Sequence, residues 1–146
     1  MKLLFYEKYF TLNKNFEINY KFKKASIKDS NEIKNFKSLN NQKFIEYPKL
    51  GLSELKKIIK KILKLKGGIL LIDYGYLKPN NQNTLQSVLK HKKNNILKNL
   101  GKADVTSHVN FGLLNEFFLK NNLKIKKIVT QKEFLEKMGI IQRAAI

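Results

Sequence analysis

The stretch Gly67-Gly68-Ile69-Leu70-Leu71-Ile72-Asp73-Tyr74-Gly75-Tyr76 constrains the fold of this chain more than any other. Its four consecutive aliphatics lie between a glycine pair and Asp-Tyr-Gly-Tyr. They predict a strand buried on both faces, as in the centre of a parallel sheet whose two sides are covered by helices. Ligands of open α/β sheets bind just beyond the carboxyl ends of the strands, so Asp73, Tyr74 and Tyr76 fall where chemistry is expected. The same residues also suit a plain helix-strand-turn unit in which Asp73 and Gly75 only shape the turn. Local pattern leaves both readings open.

The neighbouring segments fit an α/β chain. From Gly51 onward, Leu52, Leu55, Ile58, Ile59, Ile62 and Leu63 recur at helical spacing, with Lys56, Lys57, Lys60, Lys61 and Lys64 on the other side. Only Gly67-Gly68 separates this helix from the apolar run, so its apolar face is expected to pack on that strand. Upstream, Leu3–Leu12 and Phe16–Phe22 flank the turn signal Asn13-Lys14-Asn15 and predict a β-hairpin with one wet face. A short helix is expected around Ile33–Leu39, and an extended segment at Phe44–Tyr47 before Pro48. Downstream, Asn94–Leu100 predicts a brief helix ending at Gly101. Asn110 is an N-cap for a helix over Phe111–Asn121, with Leu113, Leu114, Phe117 and Phe118 inward. Leu123–Thr130 predicts a strand, and Thr130 caps a last helix, Gln131–Met138, stopped by Gly139. The organisation expected is a hairpin with an irregular insert over residues 1–48, then an α/β unit over 49–146.

Composition removes several functions. There is no cysteine, which excludes disulfides, zinc-thiolate sites and cysteine nucleophiles. His91 and His108 are too few and too separated for a histidine-rich metal site, so no metal is expected. No apolar run spans a bilayer, and the amino-terminal stretch meets Glu7 and Lys8 before a signal-type hydrophobic region develops; a cytoplasmic protein is the expectation. The net charge of +19 invites a nucleic-acid partner. Against that, Arg143 is the single arginine, and the lysines are spread through every segment beside abundant asparagine and isoleucine. AT-rich codon usage alone produces that mixture, so no nucleic acid is expected.

No glycine-rich phosphate loop of the dinucleotide or P-loop type occurs, and no serine-hydrolase elbow or zinc-protease motif. Histidine is the side chain suited to general-base work near neutral pH, but within Lys90-His91-Lys92-Lys93 His91 reads more simply as exposed. Asp104, Thr106 and His108 alternate, so an extended backbone turns their side chains to one side. That polar face could bind substrate or hold a loop down as a capping network.

Several separate blocks then agree in order and spacing with one family. Gly67-Gly68-x-Leu70-Leu71-Ile72-Asp73-Tyr74-Gly75-Tyr76, Thr84-Leu85-Gln86 with His91, Gly101-x-Ala103-Asp104-x-Thr106-x-His108-Val109-x-Phe111, and Thr130-Gln131-x-x-Phe134-Leu135-x-x-x-Gly139-Ile140 resemble the MidA family. Phe5-Tyr6-Glu7-Lys8 weakly resembles its aromatic-x-Glu-Arg segment. These proteins are methyltransferase-like and include the mitochondrial protein-arginine methyltransferase needed for assembly of respiratory complex I. The resemblance implies a partial Rossmann-like methyltransferase fold, the C-terminal half of the sheet preceded by the hairpin, with S-adenosylmethionine as methyl donor. It implies that the family's glycine-rich cofactor loop lies N-terminal to anything here, so no cofactor-binding residue carries over, and that a last strand lies beyond Ile146.

From this, the candidate site residues are Asp73, Tyr74 and Tyr76 on the cleft side and Asp104, Thr106 and His108 on the substrate side. Carboxylates suit an arginine substrate because they bind the guanidinium and can accept its proton. One reading is a fragment of a protein arginine methyltransferase acting on a complex I subunit, inactive alone and completed by a complementary N-terminal half. Its place would be the cytoplasm of a bacterium or the mitochondrial matrix of a eukaryote. The alternative is a non-catalytic binding or assembly module that keeps the substrate-facing half. Either way, a sheet without its first strands leaves an unpaired edge and an uncovered apolar face at Ile69–Ile72.

Overall fold

The structure is a computed structural model and describes residues 4–15, 17–78 and 81–145. Leu3, Phe16, Pro79, Asn80 and Ile146, which figure in the sequence reading, lie outside the described residues. The chain opens with β1 (Tyr6–Leu12) and β2 (Ile18–Lys24), paired antiparallel with Tyr6 opposite Lys24 and Leu12 opposite Ile18. The Asn13 side chain closes the turn by accepting from the Asn15 and Glu17 N–H groups at 3.0 and 2.8 Å. The expected hairpin therefore forms. It is not wet on one face only: Tyr6, Phe10, Leu12, Tyr20 and Phe22 share a face and are all exposed, because among the described residues no element covers it.

The core is helical. α1 (Ile27–Lys34) is capped by Ser26, whose hydroxyl accepts from the Asp29 N–H, and Asp29 pairs with Lys49 at the start of α2 (Lys49–Leu65). The expected helix near Ile33–Leu39 divides into α1 and a single 3₁₀ turn, Lys37–Leu39. Leu52 and Ile59 of α2 pack with Phe36, Leu39 and with Leu113 and Phe117 of α3 (Phe111–Lys120); Leu114, Phe118, Ile45 and Tyr47 border this cluster. The apolar face of α2 thus meets other helices and the 3₁₀ turn, not the run that follows it. Glu116 of α3 ties the layers by accepting from the Lys37 and Ser38 N–H groups, both at 2.9 Å. Burial alone would raise its carboxyl, but those N–H groups and Lys120 outweigh it and hold the pKa at about 2.

Three short strands form an antiparallel sheet in the order β5 (Lys92–Asn94), β4 (Gln86–Leu89), β6 (Asp104–Thr106). A separate parallel pair joins β3 (Gly75–Tyr76) to β7 (Val109–Asn110), which runs straight into α3. α4 (Gln131–Lys137) is capped by Thr130 as expected, and Gly139, at φ +80°, separates it from α5 (Ile140–Ala144).

Three expectations are corrected. Ile69–Ile72 joins no ladder and its residues are 38%, 67%, 41% and 66% exposed, so the buried strand does not form, while the uncovered apolar face expected there does. A strand needs neighbours at its edges and on both faces, and only Gly75–Tyr76 finds one. Leu123–Thr130, although alternating, likewise joins no ladder; Leu123 packs on the helical core instead. Asn94–Leu100 is not helical: Asn94 enters β5 and its side-chain amide bonds the Asn95 and Lys98 carbonyls, both at 2.9 Å. Such local side-chain bonds compete with the helix ladder. The architecture is mixed α/β, and among the described residues β3–β7 is the one parallel ladder.

Candidate functional site

The parallel pair brings together two blocks that are far apart in sequence. Gly75 lies opposite Val109 and Tyr76 opposite Asn110, and the Val109 N–H donates to the Tyr74 carbonyl at 2.8 Å. The approach is closer than any side chain at Gly75 would allow. A Cβ there would overlap the Val109 carbonyl and come within 2.7 Å of the Phe111 ring. Gly112 is equally enclosed, by the Leu77 carbonyl. Two glycines thus let the β3 end and the start of α3 meet.

Asn110 is buried and works in two directions. Its Oδ1 accepts from the Leu113 N–H at 2.9 Å, capping α3, and its side chain hydrogen-bonds Tyr76. Burial raises the Tyr76 phenol, the Glu46 carboxylate nearby raises it further, and Asn110 opposes them. The net direction is upward, which keeps Tyr76 neutral at physiological pH and able to donate.

Glu46 completes the cluster. Its Oε1 accepts from the Thr84 and Leu85 N–H groups at 2.9 and 3.1 Å, and its Oε2 accepts from the Thr84 hydroxyl at 2.6 Å. The Thr84 hydroxyl in turn accepts from the His108 N–H at 2.9 Å. Beside this network, Thr84, Gln86, Ser87, Asn94 and His108 line an open depression of about 510 Å³.

Of the six residues singled out by sequence, the structure gathers Tyr76 and His108 through Asn110, Thr84 and Glu46. Asp73 lies exposed next to β3, its Oδ1 accepting from the Tyr74 N–H at 2.7 Å, and the Tyr74 ring is 82% exposed. Asp104 and Thr106 sit on β6 opposite Val88 and Gln86, exposed, on a different sheet from β3 and β7. His108 falls between β6 and β7, so the three alternating residues do not share one strand. His91 is exposed in the β4–β5 turn. Glu46 was missed as a site residue, although a lone carboxylate among Phe44, Ile45 and Tyr47 was a visible signal.

The Tyr76 phenol and Asn110 amide form one polar pair, and the Glu46 carboxylate holds the Thr84 hydroxyl, to which His108 is joined through its backbone N–H. They do not make a cradle for S-adenosylmethionine. At the β7–α3 junction no loop intervenes, Asn110 already occupies the helix N-terminus, and Leu77 fills the space beside Gly112. Among the described residues no group of three or more His, Cys, Asp or Glu could hold a metal ion, and no helix is long and apolar enough to cross a membrane.

Residues 5–129 match a family model described as "Putative S-adenosyl-L-methionine-dependent methyltransferase". Over 89 residues the chain is 34% identical to the protein arginine methyltransferase NDUFAF7 homolog, mitochondrial, of Caenorhabditis elegans. That alignment covers 61% of this chain and 21% of the relative's length. No solved structure matches.

Proposed function

Because the chain belongs to this MidA-like family of S-adenosyl-L-methionine-dependent methyltransferases, we propose that it forms the substrate-facing part of a protein arginine methyltransferase acting on a respiratory complex I subunit. The observation that carries the reading is the β3–β7 parallel pair, which sets Tyr76 beside Asn110 at a strand end with His108, Thr84 and Glu46 attached. When bound, S-adenosylmethionine supplies the electrophilic methyl group. The residues of this chain bind and orient the acceptor. Asp73, exposed two residues ahead of β3, offers a carboxylate to a guanidinium. Tyr76 and His108 add a phenol and an imidazole, while Asp104 and Thr106 lie on β6, in a separate sheet, and would meet only a larger acceptor. Local carboxylates matter because the chain as a whole carries +19 and would otherwise repel a cationic side chain. The setting is the matrix in a eukaryotic cell or the cytoplasm in a bacterium.

The second reading is a non-catalytic binding or assembly module that keeps the substrate-facing half. Both readings share the substrate surface and differ in whether a cofactor joins it. Calorimetric titration with S-adenosylhomocysteine tests for a cofactor pocket in the chain alone, and NMR titration with N-acetyl-arginine amide tests the shared substrate surface. The expected result is no S-adenosylhomocysteine binding by the chain alone, and arginine-dependent shifts at Asp73, Tyr76 and His108. Micromolar S-adenosylhomocysteine binding would mean a complete cofactor pocket. Absence of any arginine-dependent shift would reject the substrate surface.

A further inference from the structure

We infer that Glu46 is a positioning residue whose carboxylate orients the Thr84 hydroxyl so that its lone pair, not its proton, meets the His108 amide. The hydrogen positions follow from chemistry. A backbone N–H can only donate, so the Thr84 Oγ1 must accept at His108. An ionised carboxylate can only accept, so the same hydroxyl must donate to Glu46. With its proton fixed at one end and its lone pair at the other, Thr84 has one orientation. The Thr84 and Leu85 N–H groups, both on Glu46 Oε1, fix the segment that carries it.

Glu46 can do this because its own place is set by the core. Ile45 and Tyr47, its two neighbours, pack against the helical cluster. The carboxylate therefore transmits the position of α2 and α3 to the Thr84 segment, and through the hydroxyl to His108 just ahead of β7. A charge-assisted bond of this kind is about twice as strong as a neutral one. The importance of this relay for the acceptor substrate rests on the reading proposed above; the relay itself does not.

Glutamine keeps the shape of the side chain and breaks the logic. Its carbonyl can still accept from the Thr84 and Leu85 N–H groups, but its NH₂ takes one of the two Oγ1 lone pairs and the threonine proton loses its acceptor, so the hydroxyl is no longer held with a lone pair on His108. In the full chain, Glu46→Gln is expected to speed amide exchange at His108 at least tenfold by NMR, with the Leu113 amide, held by Asn110, unchanged as the control for folding. The Tyr76 phenol, followed by its ring carbon signal, is expected to titrate at lower pH once the neighbouring negative charge is gone. Thr84→Ser should keep the protection of His108 and Thr84→Val should lose it, a pair that carries the test if Glu46→Gln fails to fold. Exchange at His108 within twofold of the parent in Glu46→Gln, or in Thr84→Val, would overturn the assignment. These measurements need neither methyl donor nor acceptor. A chain that passes them and shows no arginine response refutes the functional reading and leaves the relay standing.

Discussion

Two apolar runs lie back to back in this chain, and they meet opposite fates. In α2, Leu52 and Ile59 are 5% and 1% exposed; a few residues later, Leu70 and Ile72 are 67% and 66% exposed. Hydrophobicity does not separate them. The difference lies in what each backbone requires. A helix closes its own N–H to carbonyl bonds and needs cover along a single stripe, which Phe36, Leu39, Leu113 and Phe117 provide. A central strand needs partners at its edges and cover on two faces, and Ile69–Ile72 has none of these among the described residues. A hydrophobic pattern states which surface wants cover; only other elements decide whether it is covered.

The sharpest way to break that comparison is to cut both runs. Ile59→Ala should cost about 2–5 kcal/mol in denaturant unfolding, for lost transfer energy plus a cavity. Leu70→Ala should stay within about 0.5 kcal/mol, as exposed changes do. Equal costs would mean that Ile69–Ile72 is buried in solution. Next in size is Gly75→Ala, at about 3 kcal/mol, because the new methyl must displace the Val109 carbonyl and the Phe111 ring. A neutral Gly75→Ala would show that β3 does not approach β7 this closely.

Glu116→Gln tests the covered side of the comparison. It weakens two N–H bonds to the 3₁₀ turn and should cost about 1–3 kcal/mol. The carboxyl is held at about 2 in the folded chain, below its ordinary 4.5. Its stabilisation is therefore present above pH 4.5 and is lost as pH falls from there toward 2. Thermal melts across that window should lose less stability in Glu116→Gln than in the parent. The smallest effect is a gain. Lys90 and His91 sit at φ 50° and 60° in the two-residue β4–β5 turn, where Asn-Gly is favoured. Replacing them by Asn and Gly should add up to about 1 kcal/mol to the unfolding free energy.

The helices were legible because their signals are local. Asn110 and Thr130 cap where their side chains predict, and Leu113, Leu114, Phe117 and Phe118 turn inward as their spacing requires. The hairpin was legible from Asn13 and its flanking aromatics, but its exposed aromatic face was not, since cover is a tertiary fact. For the same reason the Ile69–Ile72 and Leu123–Thr130 strands were misread. At the site, Tyr76 and His108 could be named from their blocks, whereas Glu46 showed only as a lone carboxylate among apolar neighbours, with no sign of its partner. Its role depends on Thr84 arriving from 38 residues away, and no periodicity encodes that.

The most direct measurement is backbone NMR of the folded chain at the β3–β7 junction. The expected result is a cross-strand contact between Gly75 and Val109 and a Val109 amide protected by the Tyr74 carbonyl, both lost in Gly75→Ala. A Val109 amide that exchanges freely while the capped Leu113 amide stays protected would contradict the assembly of these two blocks into one site.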